Sequence, residues 1–268
     1  MNVLEEANFD SMKMFSKEWY DEYFRQAISS EAHSEFCRRV YGRDLCQHGL
    51  MDMAELDFLI TLISPGSRIL EIGCSNGFIT EYIHDHITST ILGIDFSEVA
   101  VEQAQRRTKD KSSSLNFKCI NPIDESIPNG EFDIILLIDS IYFLGEIKEL
   151  LQKLNDQIPS NGKMIFSIFQ SKEAKVPEEI LLPDHTFLAQ ALNELGFEYT
   201  WYDFTQNVRA HGMKNYQVAE ELRESFRNEG HFFLYEARAA ENTFFREASE
   251  KGIITRYMYQ VKKKPLII

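Results

Sequence analysis

Cysteine is scarce in this chain, and its placement says more than its number. Cys37, Cys46, Cys74 and Cys119 show no Cys-x-x-Cys spacing, which points to neither a disulfide framework nor a zinc site and fits a reducing compartment. Long apolar runs are missing too: nothing approaches the roughly 18 residues of a membrane span. Met1-Asn2-Val3-Leu4-Glu5-Glu6 lacks the basic and apolar regions of a signal peptide, so a cytoplasmic protein with no membrane partner is expected. Positive charge is short, with 28 Lys and Arg against 42 Asp and Glu, a formal net charge of -14. Nucleic-acid binding rests on neutralising phosphates with Lys and Arg, so this balance argues against a nucleic-acid partner. The basic cluster Lys262-Lys263-Lys264 reads as a solvated chain end. What is left is an ordinary globular composition over 268 residues, enough for one α/β domain with additions. Its acidity favours a small neutral or cationic partner.

The chain is organised around Arg68-Ile69-Leu70-Glu71-Ile72-Gly73-Cys74-Ser75-Asn76-Gly77-Phe78-Ile79-Thr80. An apolar run meets a glycine-punctuated turn and then a helical pattern, so backbone N–H groups and the positive end of a helix dipole converge on one spot. Gly73 and Gly77 permit a tight turn and close backbone approach, and Glu71 supplies a fixed acceptor beneath it. Three readings compete: an ordinary strand-to-helix connection, a hydrolase nucleophile elbow, since Gly73-x-Ser75-x-Gly77 satisfies that pattern, or a nucleoside-binding loop. Asp139 and His185 follow Ser75, so chain order permits the hydrolase, but no His-Gly-Gly run precedes it. The third reading gains from Thr90-Ile91-Leu92-Gly93-Ile94-Asp95-Phe96, a second strand ending in an acid about 20 residues past the turn, where a ribose-binding carboxylate is expected. Phe96 stands beside it for an adenine.

These two motifs together resemble those of the class I S-adenosylmethionine-dependent methyltransferases, in particular the small-molecule branches of the ubiquinone/menaquinone and natural-product type. Ser75 stands where that family has its middle glycine, which requires a negative φ there or some strain. The resemblance implies a Rossmann-like, seven-stranded, mostly parallel sheet with helices on both faces, plus a helical cap. S-adenosylmethionine is the implied cofactor and S-adenosylhomocysteine the product. Gly73, Cys74, Ser75 and Gly77 would then lie under the methionine part with Glu71, and Asp95 and Phe96 at the nucleoside. Asn121 takes the place of the Asp that meets the adenine amine, flanked by Pro122 and Ile123. The acceptor is expected to be a small molecule and the protein a monomer or homodimer, with no metal.

The remaining chain fits this frame. Residues 1–64 read as a helical extension or lid, with Met12, Phe15, Trp19 and Tyr23 at helical spacing and Tyr20 and Phe24 beside them. Core packing and a lid are both open readings of that aromatic cluster. A polar loop from Gly42 to Gly49 carries His48, a candidate general base. Residues 65–204 read as the core. Within it, 132–140 is a continuous apolar run bounded by acids, as a central parallel strand should be, and Asp139, Ser140 and Tyr142 follow at the cofactor end. Residues 205–252 are a long insertion, read as a cap or a dimer contact, and 253–268 hold the last strand and tail. Candidate catalytic residues are His48, Tyr142 and His185; candidate substrate contacts are Tyr20, Tyr23, Ser140, Arg209 and His211. A non-catalytic S-adenosylmethionine binder remains open beside the two enzymes.

Overall fold

A computed structural model describes residues 13–128, 130–173 and 175–264; Met12, the rest of residues 1–12 and the tail 265–268 lie outside the described residues. The strands are β1 (Arg68–Ile72), β2 (Thr90–Asp95), β3 (Leu115–Cys119), β4 (Ile134–Ile138), β5 (Lys163–Ser171), β6 (Tyr199–Asp203) and β7 (Ile254–Lys262). They form one sheet in the order β3-β2-β1-β4-β5-β7-β6. β7 is antiparallel to both neighbours, and every other pairing is parallel. The order reverses between β1 and β4, and open α/β sheets bind ligands beyond the carboxyl ends of strands at such a point.

Side-chain alternation explains why the central strands read as unbroken apolar runs. Ile134 and Leu136 of β4 join Ile69 of β1 in one core, while Ile135 and Leu137 join Leu70 and Ile72 in another on the opposite face. Helices α3 (Met53–Thr61), α4 (Phe78–His86) and α5 (Glu98–Arg107) cover the first face; α6 (Ile147–Gln157) and α7 (Phe187–Leu195) cover the second. Each fully buried Leu or Ile here contributes roughly 1.5–3 kcal/mol. Asp52, Ser97 and Thr186 accept the free amides at the starts of α3, α5 and α7, and left-handed Gly196 ends α7.

A third core lies apart from the sheet. α1 (Lys17–Ala27) and α2 (Glu31–Tyr41) pack Trp19, Phe24 and Phe36 against Val218 and Phe226 of α8 (Thr205–Asn228) and Leu234 of α9 (Phe232–Glu250). The long insertion is therefore a helical hairpin, and the N-terminal helices are its partners. At Gly212 a Cβ would lie 2.6 Å from the Phe245 carbonyl oxygen, so the close crossing of α8 and α9 requires glycine there. Glu229, in the turn between them, accepts from Ser30 Oγ at 2.7 Å and from Ala32 N–H at 2.9 Å, fastening the start of α2 to the hairpin.

Candidate active site

The turn after β1 holds three residues in the left-handed region: Gly73 (φ 82°), Ser75 (φ 53°) and Gly77 (φ 73°). Ser75 thus accepts the strained alternative rather than a negative φ, at a cost of about 1–2 kcal/mol. Its N–H is placed by that conformation 2.8 Å from Asp95 Oδ2, an offsetting bond. A Cβ on Gly73 would meet the Ser140 Cβ at 2.4 Å, so glycine lets the turn sit directly against the end of β4. α4 starts from Gly77 with no side-chain cap, which leaves its first amides available to a ligand.

Beneath the turn, Glu71 is buried and its Oε2 has no hydrogen-bond partner. Burial pushes its carboxyl up to about 7, with the Thr80 hydroxyl pulling the other way. Asp95 is also buried; its Oδ1 accepts from Ser97 N–H at 2.9 Å while Oδ2 takes Ser75. Burial raises this carboxyl to about 6 despite those amides. Each Asp95 oxygen retains a second lone pair for a ribose hydroxyl.

Glu71, Gly73, Ser75 and Asp139 line a cavity together with Gln47 and His48 of the loop before α3; its volume is about 40 Å³. The donor set suits the aminoacyl and ribose parts of S-adenosylmethionine: an unpaired buried carboxylate, uncapped helix amides and an acid one strand away. The space does not, since sites for molecules of that size span roughly 300–1,000 Å³. The segment 45–49, which carries His48, is the part of the lining that comes from outside the sheet, its turn and α4. A larger hollow of about 610 Å³ lies beside the edge strand β6, among Asp184, Tyr199 and Trp201, and holds none of this chemistry.

His48 faces the cavity from inside an aromatic box. The rings of Tyr23, Trp19, Tyr20 and Phe15 lie 4.9, 5.3, 5.5 and 6.1 Å from the imidazole, the first three close to perpendicular to it and Phe15 inclined at 68°. Tyr20 also meets Phe96 at 5.5 Å, which links this box to the nucleoside side. Nε2 of His48 is 3.3 Å from Glu241 Oε2, close enough for the charge to act but without the alignment of a hydrogen bond. Arg238, one turn earlier on α9, donates to the carbonyls of Gln47 (2.5 Å) and His48 (2.9 Å) and to the Tyr23 hydroxyl (2.7 Å).

Other residues singled out in the sequence are engaged elsewhere. Asp139, at φ 54°, receives two bonds from Arg256 (2.6 and 3.1 Å) and one from Leu50 N–H (2.8 Å). Ser140 donates to the Ile72 carbonyl at 2.6 Å. The Tyr142 hydroxyl accepts from Phe169 N–H at 2.5 Å and donates to the same residue's carbonyl at 3.3 Å, while burial holds it well above the usual phenol range. Tyr23 is enclosed and held by Arg238. His211 pairs with Asp52, the cap of α3, at 3.2 Å, and Arg209 donates to the Ile254 and Gly252 carbonyls. His185 is exposed just before α7. Asn121 donates to Asp124 and accepts from Ile123 N–H in a local turn, with Pro122 part-buried and Ile123 56% exposed.

Gln47, Arg238 and Glu241 were not legible as site residues. Gln47 adjoins His48 in the loop already marked, but Arg238 and Glu241 are two charges among many on a long helix. Arg256 left one signal, a cation in the middle of an otherwise apolar and aromatic strand.

The strand order, with its antiparallel β7, is that of the class I methyltransferase fold, and residues 70–164 match a family described as a methyltransferase domain. The core thus has the class I methyltransferase fold, and its segment 70–164 is similar to methyltransferase domains. The chain is 30% identical over 135 residues to a malonyl-[acyl-carrier protein] O-methyltransferase of Bacillus cytotoxicus, covering 47% of this chain and 46% of that one. It is 22% identical over 188 residues to the phosphoethanolamine N-methyltransferase of Triticum aestivum, covering 70% and 36%. The matched segments thus span less than half of either relative. Among solved structures it is similar to a cyclopropane synthase from Mycobacterium tuberculosis, with a TM-score of 0.70 at 12% identity over 91% of this chain and 98% of that one.

Proposed function

We propose that the protein transfers a methyl group from S-adenosylmethionine to a small-molecule acceptor, in a site between the sheet and the helical hairpin. The observation that carries this is the left-handed turn from Gly73 to Gly77, set over the unpaired carboxylate of Glu71 and bonded to Asp95. Glu71 and the first amides of α4 would hold the aminoacyl part of the cofactor, and Asp95 its ribose. Tyr20 and Phe96 would flank the base, and Asn121, Pro122 and Ile123 would border it. Bound S-adenosylmethionine supplies an electrophilic methyl group. The chain's own part is to align the acceptor, exclude water and, where the acceptor carries a proton, remove it.

On this reading residues 1–64 and 205–252 act as lid and cap over residues 65–204 and 253–268. A site closed from two sides by aromatic helices suits a small acceptor of the kind methylated in quinone or natural-product synthesis. His48, which lines the cavity beside Gly73 and Ser75, would accept that proton. The hydrolase alternative is supported less well, because among the described residues no hydrogen bond joins the Ser75 hydroxyl to a histidine. Calorimetric titration of S-adenosylhomocysteine into the protein and into Asp95→Ala tests the proposal. Binding in the micromolar range, weakened at least about tenfold in the variant, is expected. Folded protein that binds neither S-adenosylhomocysteine nor S-adenosylmethionine would overturn it.

A further inference from the structure

The sequence marks His48 as a possible base but says nothing of what directs it. In the structure the imidazole has one polar neighbour at Nε2, the Glu241 carboxylate at 3.3 Å, contributed by the cap helix α9. Among the described residues Nδ1 makes no hydrogen bond, and His48 lines the cavity beside Gly73 and Ser75. The aromatic walls have no charge to offer, and the Trp19 indole N–H is itself buried without a partner.

Other ionisable groups surround the pair. Tyr20 and Tyr23 face it from α1, His33 and Tyr41 from α2, Arg238 from α9 and Asp139 from the end of β4. Burial keeps His33 neutral and the three phenols protonated, while Arg256 occupies Asp139 and Arg238 is spent on two carbonyls and two phenols. Glu241 is therefore the acidic group left to orient the ring. Its carboxyl is drawn below the usual range, burial being outweighed by His48 and Arg238.

We infer that Glu241 is the positioning residue for His48. It keeps the proton on Nε2, so that Nδ1 offers its lone pair to the acceptor, and the acceptor is accordingly a hydroxyl or phenol. The inference rests on the methyl-transfer reading above. An amine nitrogen already carries the lone pair it needs for attack, whereas a hydroxyl oxygen becomes a strong nucleophile only as its proton leaves. As the oxygen's electron pair forms the bond to the methyl carbon, the O–H proton passes to His48 Nδ1 and the pair of the breaking carbon–sulfur bond stays on sulfur. The resulting imidazolium is stabilised by Glu241. The unaligned 3.3 Å contact tightens with the ligand bound, as catalytic hydrogen bonds often do.

The test uses the full chain with ¹⁵N-labelled histidine. The His48 ring nitrogens, assigned by their loss in His48→Gln, are followed from about pH 5 to 9 with S-adenosylhomocysteine present. The expected result is a neutral ring with its proton on Nε2. In Glu241→Gln the preference for the Nε2 tautomer should fall about tenfold, and Glu241→Asp should restore much of it. A proton on Nδ1 in the wild type, or an unchanged tautomer ratio in Glu241→Gln, would overturn the positioning role. Should the glutamine variant lose its native spectrum, the wild-type tautomer decides.

Tyramine, which carries both a phenol and an amine, probes the acceptor class with labelled methyl donor. Label on the phenol oxygen supports the assignment, and label on the amine overturns it. Calorimetry of S-adenosylhomocysteine on the same samples separates a failure of this inference from a failure of the methyltransferase reading, since only the latter abolishes binding.

Discussion

Among the described residues two arginines are buried, Arg238 and Arg256, and they are held in opposite ways. Arg256, on β7, is fully enclosed and bonded to two carboxylates: Nε to Glu55 at 2.6 Å and both terminal nitrogens to Asp139. Arg238, on α9, is 2% exposed, and its bonds go to neutral oxygens, the Gln47 and His48 carbonyls and the Tyr23 hydroxyl. The first joins β7, α3 and the end of β4 into one unit that opens only by leaving charges unpaired in a dry interior. The second ties the cap to a loop through acceptors that water can replace at modest cost. The Arg256 side is held by paired charges, whereas the Arg238 side is held through neutral acceptors.

Replacing Arg256 with methionine should therefore have the largest effect. It strands Glu55 and Asp139 without their cation, and a loss of about 3–5 kcal/mol in unfolding free energy is expected from chemical denaturation. A loss below about 1 kcal/mol would break the comparison, because the triad would then not be scaffold.

Glu71→Gln comes next, with the opposite sign. The folded carboxyl is raised to about 7 by burial, above its ordinary value near 4.5. Stability from this group is thus full below the unfolded value and is lost as pH rises through about 7. The glutamine variant should be more stable than wild type at pH 8 by about 3 kcal/mol, with the gap closing near pH 4. It should bind S-adenosylhomocysteine more weakly, because the amide keeps one acceptor oxygen but loses the negative charge proposed to face the ligand's ammonium group. Equal gains at both pH values would show that burial of charge is not the cause.

Arg238→Met should cost less, about 1–3 kcal/mol, and should act locally. Amide exchange in the 42–52 loop is expected to accelerate, with exchange in β1 and β4 unchanged. Cofactor association should become faster as the latch is lost. Protection falling uniformly across the sheet would mean that the two arginines do the same job.

Much of this architecture is legible in the residues. Ser97, Gly196 and the double glycine of the turn act over a few bonds, so their structural consequences follow wherever they stand in a sheet. The twofold alternation of β4 between two covered faces is likewise written in Ile134 to Leu137. The position of Asp95 beyond the turn follows from strand and helix lengths, and it lies where that spacing puts it, bonded to Ser75.

The site was legible only in part. Asp139 and Tyr142 stand at the right end of the right strand, yet one is committed to Arg256 and the other to the Phe169 backbone. Strand position tells which end a side chain occupies, not which partner reaches it first. Arg238 and Glu241 gave no signal, since a charge on a long helix is ordinarily solvated.

By itself, then, the sequence determined the strand order's raw material: the turn, its acids and the period of each element. Local sterics and hydrogen bonding decide those, and they depend on neighbours within a few residues. Only the tertiary structure decided which charges lost their water. It put Arg256 between two carboxylates 201 and 117 residues away in sequence and set Glu241 against His48 across the cap. Desolvation turns such ordinary side chains into scaffold or chemistry, and it depends on packing among segments far apart in the chain.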